Sequence, residues 1–350
     1  MAFLLVIGVL LLKAFSNQKY LSAERRAVLA RAKKFDKLYF EIGGHLLFDG
    51  HALRVLPGYD PKNKLKLIKS FGEKVAVVYC VSAKELEKKV TWSDSGLTLE
   101  KVVFGEVKKL RRKRINVVGF AVNRFEGEKT ALSFIEKLKK SKENFVVTTE
   151  IKGYPHNLEN VFGTNGFESQ PLLDIPQKIV VVTGAGANNG KLFFCLSQIF
   201  HYDKLGVNAG YAKLETFPIW NLPLNHEVNI AYEAATADIL DKLMIDPFHK
   251  KAYGINSVNY NRDIDSFPIL KRIISRAASK NNFMHTYKSP TDMGINFAKT
   301  GILTDSAVKE ASRKEILRRY ESFKKKVFKG EKKSTLKRMK EIILKVNWPN

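Results

Sequence analysis

The alternation of apolar, β-branched stretches with helix-like stretches is the feature that most constrains the fold of this chain. Strand-like segments such as KVAVVYCVSA, INVVGFAVNRF and NFVVTTEI alternate with helical patterns such as EKTALSFIEKLKKS. Continuous apolar runs of this kind are typical of strands buried on both faces, and parallel strands need long crossovers, usually helices, to connect them. The sequence therefore predicts an α/β protein with mostly parallel sheets and helices around them.

The stretch NLENVFGTNGFESQPLLDIP has no clear hydrophobic period and is rich in Asn, Gly and Pro, which is typical of a linker. The rhythm of strand then helix restarts after it, so we expect two α/β units. The predicted segments are an apolar extension at 1–12, a first α/β domain at 13–156, a linker at 157–176, a phosphate-loop-like α/β domain at 177–284, and a basic helical segment at 285–350.

The apolar run AFLLVIGVLLL near the start of the chain is well short of the about 20 residues that a membrane-spanning helix needs. A secretory signal would have a basic residue before its apolar core, and no basic residue precedes this run. We expect it to lie outside the fold, with a signal or anchor as the alternative. Cys80 and Cys195 lie inside apolar stretches, which favours buried thiols and a reducing, cytoplasmic compartment.

The chain carries a formal charge of +25, from 60 Lys and Arg against 35 Asp and Glu. Such a charge attracts nucleic acid, anionic lipid and phosphorylated small molecules alike. The excess is concentrated late, in runs such as FKKKVFKGEKKSTLKRMK, without aromatic residues spaced for base stacking. This pattern favours a solvated basic tail, and weak, non-specific binding of nucleic acid is the alternative.

The segment VVVTGAGANNGKLFFCLSQ contains the parts of a phosphate-binding loop: a strand, a glycine-rich turn, a lysine and a helix start. It departs from the usual G-x-x-x-x-G-K-[ST] pattern, because the leading glycine lies one place early and Leu192 replaces the hydroxyl residue that ligates magnesium. A lysine at a helix start is unfavourable unless an anion is bound. The residues predicted to bind a nucleotide or other phosphate-containing ligand here are Thr183, Gly184, Gly186, Asn188, Asn189, Gly190 and Lys191.

Three further residues are candidates for catalysis. Asp246 ends the apolar stretch KLMID, where phosphate-loop proteins hold an acid near the metal, but an Asp before Pro is also an ordinary turn starter. Glu215 follows another predicted strand and would reach the same sheet edge as Lys191. His249 could act as a base near neutral pH, although a histidine in a turn is commonly just solvated. The sequence thus predicts Asp246, Glu215 and His249 as catalytic candidates.

Two arginines are predicted to contribute to ligand binding. Arg54 flanks a turn after Gly43-Gly44, and Arg262 lies in the polar stretch NYNRDID. A guanidinium group can hold a phosphate bidentately, and it can equally pair with a neighbouring acid. The sequence contains no Ser-His-Asp elbow, H-E-x-x-H, C-x-x-C or EF-hand pattern, so no protein-bound metal site is predicted. Magnesium could still accompany a bound phosphate.

Several long segments carry a resemblance to a known family, among them FDKLYFEIGGHLLFDGHALRVLPGYDP, KLETFPIWNLPLNHEVNIAYEAATADI and VNYNRDIDSFPILKRI. With them the chain resembles an uncharacterised bacterial family, domain of unknown function 1846 of the UPF0371 type. The resemblance implies several domains, with the glycine-rich turn opening the second, and no established activity. The turn of the family resembles APGPGSGKL, so Lys191 and Leu192 match it. Family members run longer, which implies that the basic segment at 285–350 is a truncated third domain.

These observations lead to one principal hypothesis. The protein is expected to bind a nucleotide or another phosphorylated small molecule at a degenerate phosphate loop (Gly184–Leu192), with phosphoryl transfer or hydrolysis as the reaction class. The alternative is a non-catalytic nucleotide sensor or an RNA-associated basic protein. The sequence leaves the ligand, the reaction and the oligomeric state open.

Overall fold

A computed structural model describes residues 14–44, 46–88, 96–186, 188–239, 241–328, 333–346 and 348. The predicted apolar extension at 1–12 lies outside these residues. The strands are β1 (Lys37–Ile42), β2 (Val75–Ser82), β3 (Val117–Asn123), β4 (Phe145–Val147), β5 (Ile179–Thr183), β6 (Ala209–Leu214), β7 (Leu243–Ile245), β8 (Val258–Tyr260) and β9 (Gly294–Ile295).

Helices occur along the whole of the described chain. They are α1 (Asn17–Ala32), α2 (Gly50–Val55), α3 (Asn63–Lys69), α4 (Ala83–Glu87), α5 (Leu99–Arg112), α6 (Lys129–Lys140), α7 (Leu158–Phe162), α8 (Lys191–Lys204), α9 (Glu227–Ala235), α10 (Pro247–Tyr253), α11 (Asn261–Ala277), α12 (Pro290–Met293), α13 (Ala298–Gly301), α14 (Asp305–Phe328) and α15 (Lys333–Ile343).

Seven of the strands form one parallel sheet in the order β4-β3-β2-β5-β1-β6-β9. The α/β class with a mostly parallel sheet is therefore confirmed. The expected arrangement of two units, each with its own sheet, is corrected, because β5 lies between β1 and β2. Val181 pairs with Phe40 on one side, and Val182 pairs with Val78 on the other. β1, β2 and β5 are buried along their whole length, so separate sheets would leave apolar strand edges exposed.

The connections leave the centre of this sheet in opposite directions. The connection from β1 to β2 crosses the position of β5, and the connection from β5 to β6 crosses β1 on the other side of the sheet centre. Such a reversal of strand order opens a crevice outside the carboxyl ends of the central strands, where α/β proteins bind ligands. The fold therefore predicts a binding site at the ends of β1, β5 and β6.

Strand β7 does not join this sheet. It pairs antiparallel with β8 alone, with Leu243 opposite Tyr260. The predicted apolar strand before Asp246 is thus present but very short, and it belongs to a separate two-stranded sheet. Asp246 was expected beside a bound metal because it would end a strand of the parallel sheet. It does not follow a strand of that sheet, so this reason no longer holds.

The basic carboxyl-terminal segment packs on the rest of the protein through buried acids. Glu233 of α9 is buried and pairs with Arg338 of α15 and with Lys345, whose Nζ lies 2.9 Å from Oε1. Glu315 of α14 pairs with Arg54 of α2 at 2.9 Å. Burial would raise the pKa of Glu315, but hydrogen bonds from neighbouring arginines outweigh it and hold the pKa well below its usual range. The segment is therefore more than a solvated basic tail.

The longest helix, α14, has 24 residues and many charged side chains. Within the described ranges, no helix combines the length and the apolar character that crossing a bilayer needs.

The two cysteines are free and fully buried in the main core, as their apolar surroundings predict. Burial raises the pKa of the Cys80 thiol to about 12, and that of Cys195 also lies well above its usual value. Both thiols are therefore protonated at neutral pH, and they act as small apolar groups.

Glu24 of α1 is a buried carboxyl with incomplete hydrogen bonding. Its Oε1 accepts a hydrogen bond of 2.8 Å from the Phe297 N–H, and its Oε2 has no hydrogen-bond partner among the described residues. Burial raises the pKa of Glu24 to about 8, although the Phe297 N–H opposes the rise. In the unfolded chain the pKa of a glutamate is about 4.3. At a pH between the unfolded and the folded pKa, Glu24 binds more protons in the folded state than in the unfolded chain. The free energy of unfolding therefore falls as the pH rises through this range.

We predict that Glu24→Gln flattens this pH dependence. The amide keeps an oxygen for the Phe297 N–H and cannot ionise. The wild type loses up to about 1.4 kcal/mol of its free energy of unfolding per pH unit through Glu24, and the variant should not show this loss. Urea unfolding of both proteins between about pH 5 and pH 8.5 measures the effect. The variant should gain stability relative to the wild type as the pH rises, and parallel pH profiles would contradict the assignment of the shift to Glu24.

Candidate functional site

The glycine-rich turn, described at residues 184–186 and 188–190, connects β5 to α8 at the carboxyl edge of the sheet. The strand, the turn and the helix lie where the sequence predicts them, with β5 ending at Thr183 and α8 beginning at Lys191. Gly186, Asn188 and Gly190 have φ angles of 77°, 59° and 75°. Glycine adopts this left-handed region freely, and asparagine tolerates it better than most residues. Gly190, the N-cap of α8, has no side chain to cap the helix, and the first N–H groups of a helix have no partner within the helix itself.

Close packing against the neighbouring strands holds the turn in place. Asn123, at the end of β3, donates a hydrogen bond of 2.8 Å to the Asn189 carbonyl oxygen. A Cβ at Gly184 would lie 2.4 Å from the Cys80 carbonyl oxygen, and one at Gly190 would lie 2.8 Å from Asn123 Cβ. Both glycines are therefore required by close approach, and Gly190 is required by its left-handed backbone conformation as well. These contacts hold the two ends of the turn in place.

Lys191 lies at the first position of α8, with its side chain largely buried. Its Nζ donates a hydrogen bond of 3.1 Å to Asn189 Oδ1 and lies 3.5 Å from Glu41 Oε1. Glu41 is near the end of β1 and also accepts a hydrogen bond of 2.9 Å from the Tyr211 hydroxyl. The unfavourable position of this lysine in the helix is thus partly offset within the chain, and a bound anion is not needed to explain it.

A cavity of about 1600 Å³ lies at this edge of the sheet, and all seven predicted ligand-binding residues of the turn region line it. Ligand cavities are commonly 300–1,000 Å³, so this one has room for more than one small molecule. The described residues that line it include as many acids as bases, in contrast to the strongly basic chain. The bases are Arg54, Lys64, Arg124, Lys152, Lys191, Lys213, Arg262 and Arg319, and the acids are Glu41, Asp49, Glu106, Glu126, Glu150, Glu215, Asp241 and Asp263.

Glu215 lines the same cavity as Lys191. Lys213 Nζ lies 2.6 Å from both Glu215 Oε1 and Asp263 Oδ2. Burial raises the pKa of Glu215 and the Asp263 carboxylate adds to the rise, while the Lys213 ammonium opposes it. Burial would lower the pKa of Lys213, but Asp263 and Glu215 outweigh it, so this lysine stays protonated. Glu215 therefore has the exposure to the cavity and the raised pKa that suit an acid or base.

Both predicted arginines line the cavity, and both already have an acidic partner. Arg54 pairs with Glu315, and Arg262 Nη2 lies 3.3 Å from Asp241 Oδ2. Arg262 is more than half exposed, so its side chain can reorient more readily than a buried one. The alternative of pairing with a neighbouring acid is thus the observed arrangement, and contact with a ligand stays a prediction.

The structure does not bring Asp246 and His249 to the cavity, whose lining includes neither. Asp246 is fully buried, and its Oδ1 accepts hydrogen bonds from the N–H groups of Phe248 and His249 at 2.9 and 3.0 Å. Its Oδ2 accepts one from the Thr291 hydroxyl at 2.7 Å. His249 Nδ1 lies 2.9 Å from Ser289 Oγ. Asp246 thus caps α10, and the expectation that it lies with Lys191 is corrected because β7 is outside the parallel sheet.

Sequence reasoning missed Glu41, Tyr211 and Lys213, which surround Lys191 and Glu215. They lie in the strand segments KLYFEI and AGYAKL, with Glu41 and Lys213 one residue before the carboxyl ends and Tyr211 in the middle of its strand. The rule that selected Glu215, that parallel strands end at one edge, would also have selected Glu41 and Lys213. Across the ranges that the structure describes, no group of three or more His, Cys, Asp or Glu side chains is arranged to hold a metal ion.

Comparison with known proteins places this fold and site in a family. The family model described as "Domain of unknown function DUF1846, N-terminal" matches residues 13–347. The chain belongs to the DUF1846 family. The resemblance to domain of unknown function 1846 is thereby confirmed. The match includes the whole cavity lining, so the site described here is part of the family's own domain.

Curated relatives of the DUF1846 chain are called UPF0371 proteins. One from Clostridium botulinum strain Alaska E43 is 45% identical over 306 residues, covering 87% of this chain and 60% of the relative. One from Clostridioides difficile strain 630 is 42% identical over 334 residues, covering 95% and 66%. One from Streptococcus thermophilus strain LMD-9 is 43% identical over 309 residues, covering 88% and 62%. The matched part thus spans about three fifths to two thirds of each relative's length.

We predict that Gly190→Ala is much more destabilising than Gly206→Ala. Gly190 and Gly206 have nearly equal φ angles of 75° and 74°, so both variants incur the left-handed strain of about 1–2 kcal/mol. Only at Gly190 does the new Cβ also meet a neighbour, whereas nothing lies within 4 Å of it at Gly206. Overpacking adds about 1–3 kcal/mol. Urea unfolding of the two variants measures the difference, and equal losses would show that the turn is free to move away from Asn123.

Proposed function

We propose that this protein binds a phosphorylated small molecule in the cavity, with its phosphate against the glycine-rich turn. One observation carries the proposal. The uncapped start of α8 and the turn with three left-handed residues line a large cavity at the reversal point of a parallel sheet. Backbone N–H groups and the helix dipole at such a place favour an anion, and Lys191 adds a full positive charge.

The chemistry of the turn favours binding through the backbone rather than through a metal. Leu192 has no hydroxyl to hold magnesium, and Asp246, which was to supply a second ligand, is committed to capping α10. Glu215 is the candidate carboxylate that remains in the cavity. We therefore expect phosphate binding to depend little on magnesium unless Glu215 recruits the ion.

The finer proposal is a nucleotide as ligand, with hydrolysis or phosphoryl transfer as the reaction. The volume of the cavity accommodates a nucleotide, and the raised pKa of Glu215 suits a residue that exchanges a proton. A nucleotide sensor would use the same cavity without turnover. Release of phosphate from a panel of nucleoside triphosphates separates the two, because a sensor binds without releasing phosphate.

We predict that Lys191→Ala weakens phosphate binding by tenfold to a hundredfold, the value of a charged hydrogen bond of about 1.5–3 kcal/mol. Lys204→Ala is the matched control, because Lys204 ends the same helix and its exposed side chain pairs with Glu168 away from the cavity. Calorimetric titration with pyrophosphate, ATP and glucose 6-phosphate, each with magnesium and with a chelator, measures both variants and the wild type.

The possible results of this titration separate three situations. A loss confined to Lys191→Ala and independent of magnesium supports a backbone-mediated phosphate site. A strict requirement for magnesium would instead assign the ion to Glu215, and Glu215→Gln should then abolish the requirement. If none of the three probes binds the wild type, or if all bind the Lys191→Ala variant equally well, the turn is only a connection between strand and helix.

A further inference from the structure

Two neighbouring connections between helices and strands carry a dense group of bases. Helix α5 leads into β3 and α6 leads into β4, and these two strands pair in the sheet. The connecting segments KKLRRKRIN (108–116) and EKLKKSKEN (136–144) contain ten Lys and Arg and two Glu. Arg111 joins them, because its guanidinium donates hydrogen bonds of 2.5 and 2.7 Å to Glu143. We call these two segments the basic edge. Since both precede their strands, they lie at the amino end of the sheet, opposite the cavity.

Most bases of the basic edge have no acidic partner. Three of the ten form ion pairs with described acids. The other seven are exposed and form no ion pair among the described residues; they are Lys108, Lys109, Arg112, Lys113, Arg114, Lys140 and Lys142. In α14 and α15, by contrast, most of the described bases pair with acids. The basic edge therefore presents more unpaired charge than the described part of these two helices.

The helix dipole favours bases at the end of a helix, which accounts for part of this group. It does not account for their density. Lys108 and Arg112 lie four residues apart on α5 and are both unpaired, and like charges at this spacing destabilise a helix. Arg114 and Lys142 follow the ends of α5 and α6 with φ angles of 58° and 54°, where glycine is the usual residue. An exposed arrangement that is costly within the chain is compensated when an anion binds to it.

The row of bases continues along the sheet. Lys74 directly precedes β2 and Lys178 directly precedes β5, and both side chains are exposed. Glu73 is an exposed acid in this row. The strands lie in the order β4-β3-β2-β5, about 4.8 Å apart, so the row is about 15 Å long. A duplex of this length carries about nine phosphate charges, which is similar to the number of unpaired bases in the row.

We infer that the basic edge, continued by Lys74 and Lys178, binds the phosphate backbone of a double-stranded nucleic acid. The inference does not rest on the proposed function, because the cavity lies at the other end of the strands. The two segments contain no aromatic residue, so they offer no platform for stacking the bases of a single strand. Their large apolar residues, Leu110, Ile115 and Leu138, are buried, so none of them can insert into a lipid bilayer. Contacts with the backbone alone carry no sequence information, so the binding should be independent of sequence.

A variant with four fewer charges at the basic edge tests this inference. Its changes are Arg112→Gln, Arg114→Asn, Lys140→Gln and Lys142→Asn. Asparagine tolerates the left-handed conformation, so the ends of α5 and α6 should be preserved. The matched control removes four exposed bases from α14 and α15 and has the same net charge; its changes are Lys314→Gln, Lys324→Gln, Lys337→Gln and Lys340→Gln. Fluorescence anisotropy with short DNA and RNA duplexes, each of two unrelated sequences, measures the affinity from about 50 to 200 mM salt.

We expect the wild type to bind all these duplexes with similar affinity, and the affinity to fall steeply as the salt concentration rises. Each phosphate contact with DNA contributes about 0.9 to the slope of log affinity against log salt concentration. The basic-edge variant should therefore lose about three to four units of slope, and about tenfold or more in affinity at the lowest salt concentration. The control variant should keep the wild-type values, and so should Lys191→Ala, because the cavity is not involved.

Four results would contradict the inference. They are no binding of any duplex to the wild type at about 50 mM salt, an equal loss in the control variant, strong preference for one sequence, and binding to phosphatidylcholine vesicles that contain phosphatidylserine without binding to duplexes. The last result would assign the basic edge to a membrane surface. None of these results bears on the phosphate site in the cavity, which the titration of Lys191→Ala tests separately.

Urea unfolding shows whether the fourfold variant is folded. If it is not, its two halves carry the test. Arg112→Gln with Arg114→Asn changes the end of α5 alone, and Lys140→Gln with Lys142→Asn changes the end of α6 alone. Each half should lose about half of the slope that the fourfold variant is expected to lose, and wild-type slopes in both halves would overturn the inference.

Discussion

β5 lies between β1 and β2 and pairs in parallel with both, and the rest of the structure depends on this placement. It joins the segments before and after residue 157 into one sheet whose central strands are fully buried. It also creates the reversal of strand order that opens the crevice at their carboxyl ends. The glycine-rich turn follows β5 directly, so the same placement puts the turn at the centre of that crevice.

The site that results is defined by charge balance rather than by positive charge. Equal numbers of acids and bases line the cavity, and Lys191 of the turn region is already in contact with Glu41. A phosphate site made of arginines and lysines alone would bind many anions with little discrimination. At the proposed site an anion would compete with Glu41 for Lys191, and each unpaired charge in a largely buried cavity is costly.

The carboxyl-terminal helices give the cavity part of its wall. Arg319 of α14 lines the cavity, and the same helix supplies Glu315, which holds Arg54. Glu233 anchors α15 to α9 by its contacts with Arg338 and Lys345. The excess of lysine and arginine late in the chain therefore has a structural part, since buried acids on the rest of the protein take up several of these bases.

The local elements were predictable from the sequence. The apolar runs identify the buried strands, and the glycines, Asn188 and Lys191 locate the turn between β5 and α8, because backbone conformation and helix starts depend on neighbouring residues. Glu215 was correctly expected at the same edge as Lys191, since parallel strands end together. The pairing of Lys213 with Asp263 could not be predicted, because these residues are 50 positions apart and meet only in the folded chain.

The strand order was decided only by the tertiary structure. An apolar strand such as β5 is buried equally well at any interior position of a sheet, so its sequence cannot say which strands are its neighbours. For the same reason the acid after KLMID could not be placed: β7 pairs with β8 in a separate small sheet, and Asp246 caps a helix there. The sequence by itself determined the buried strands and the turn between β5 and α8, because these depend on neighbouring residues. The packing of those segments decided which charged side chains line the cavity beside the turn, because pairing between distant residues depends on the whole sheet.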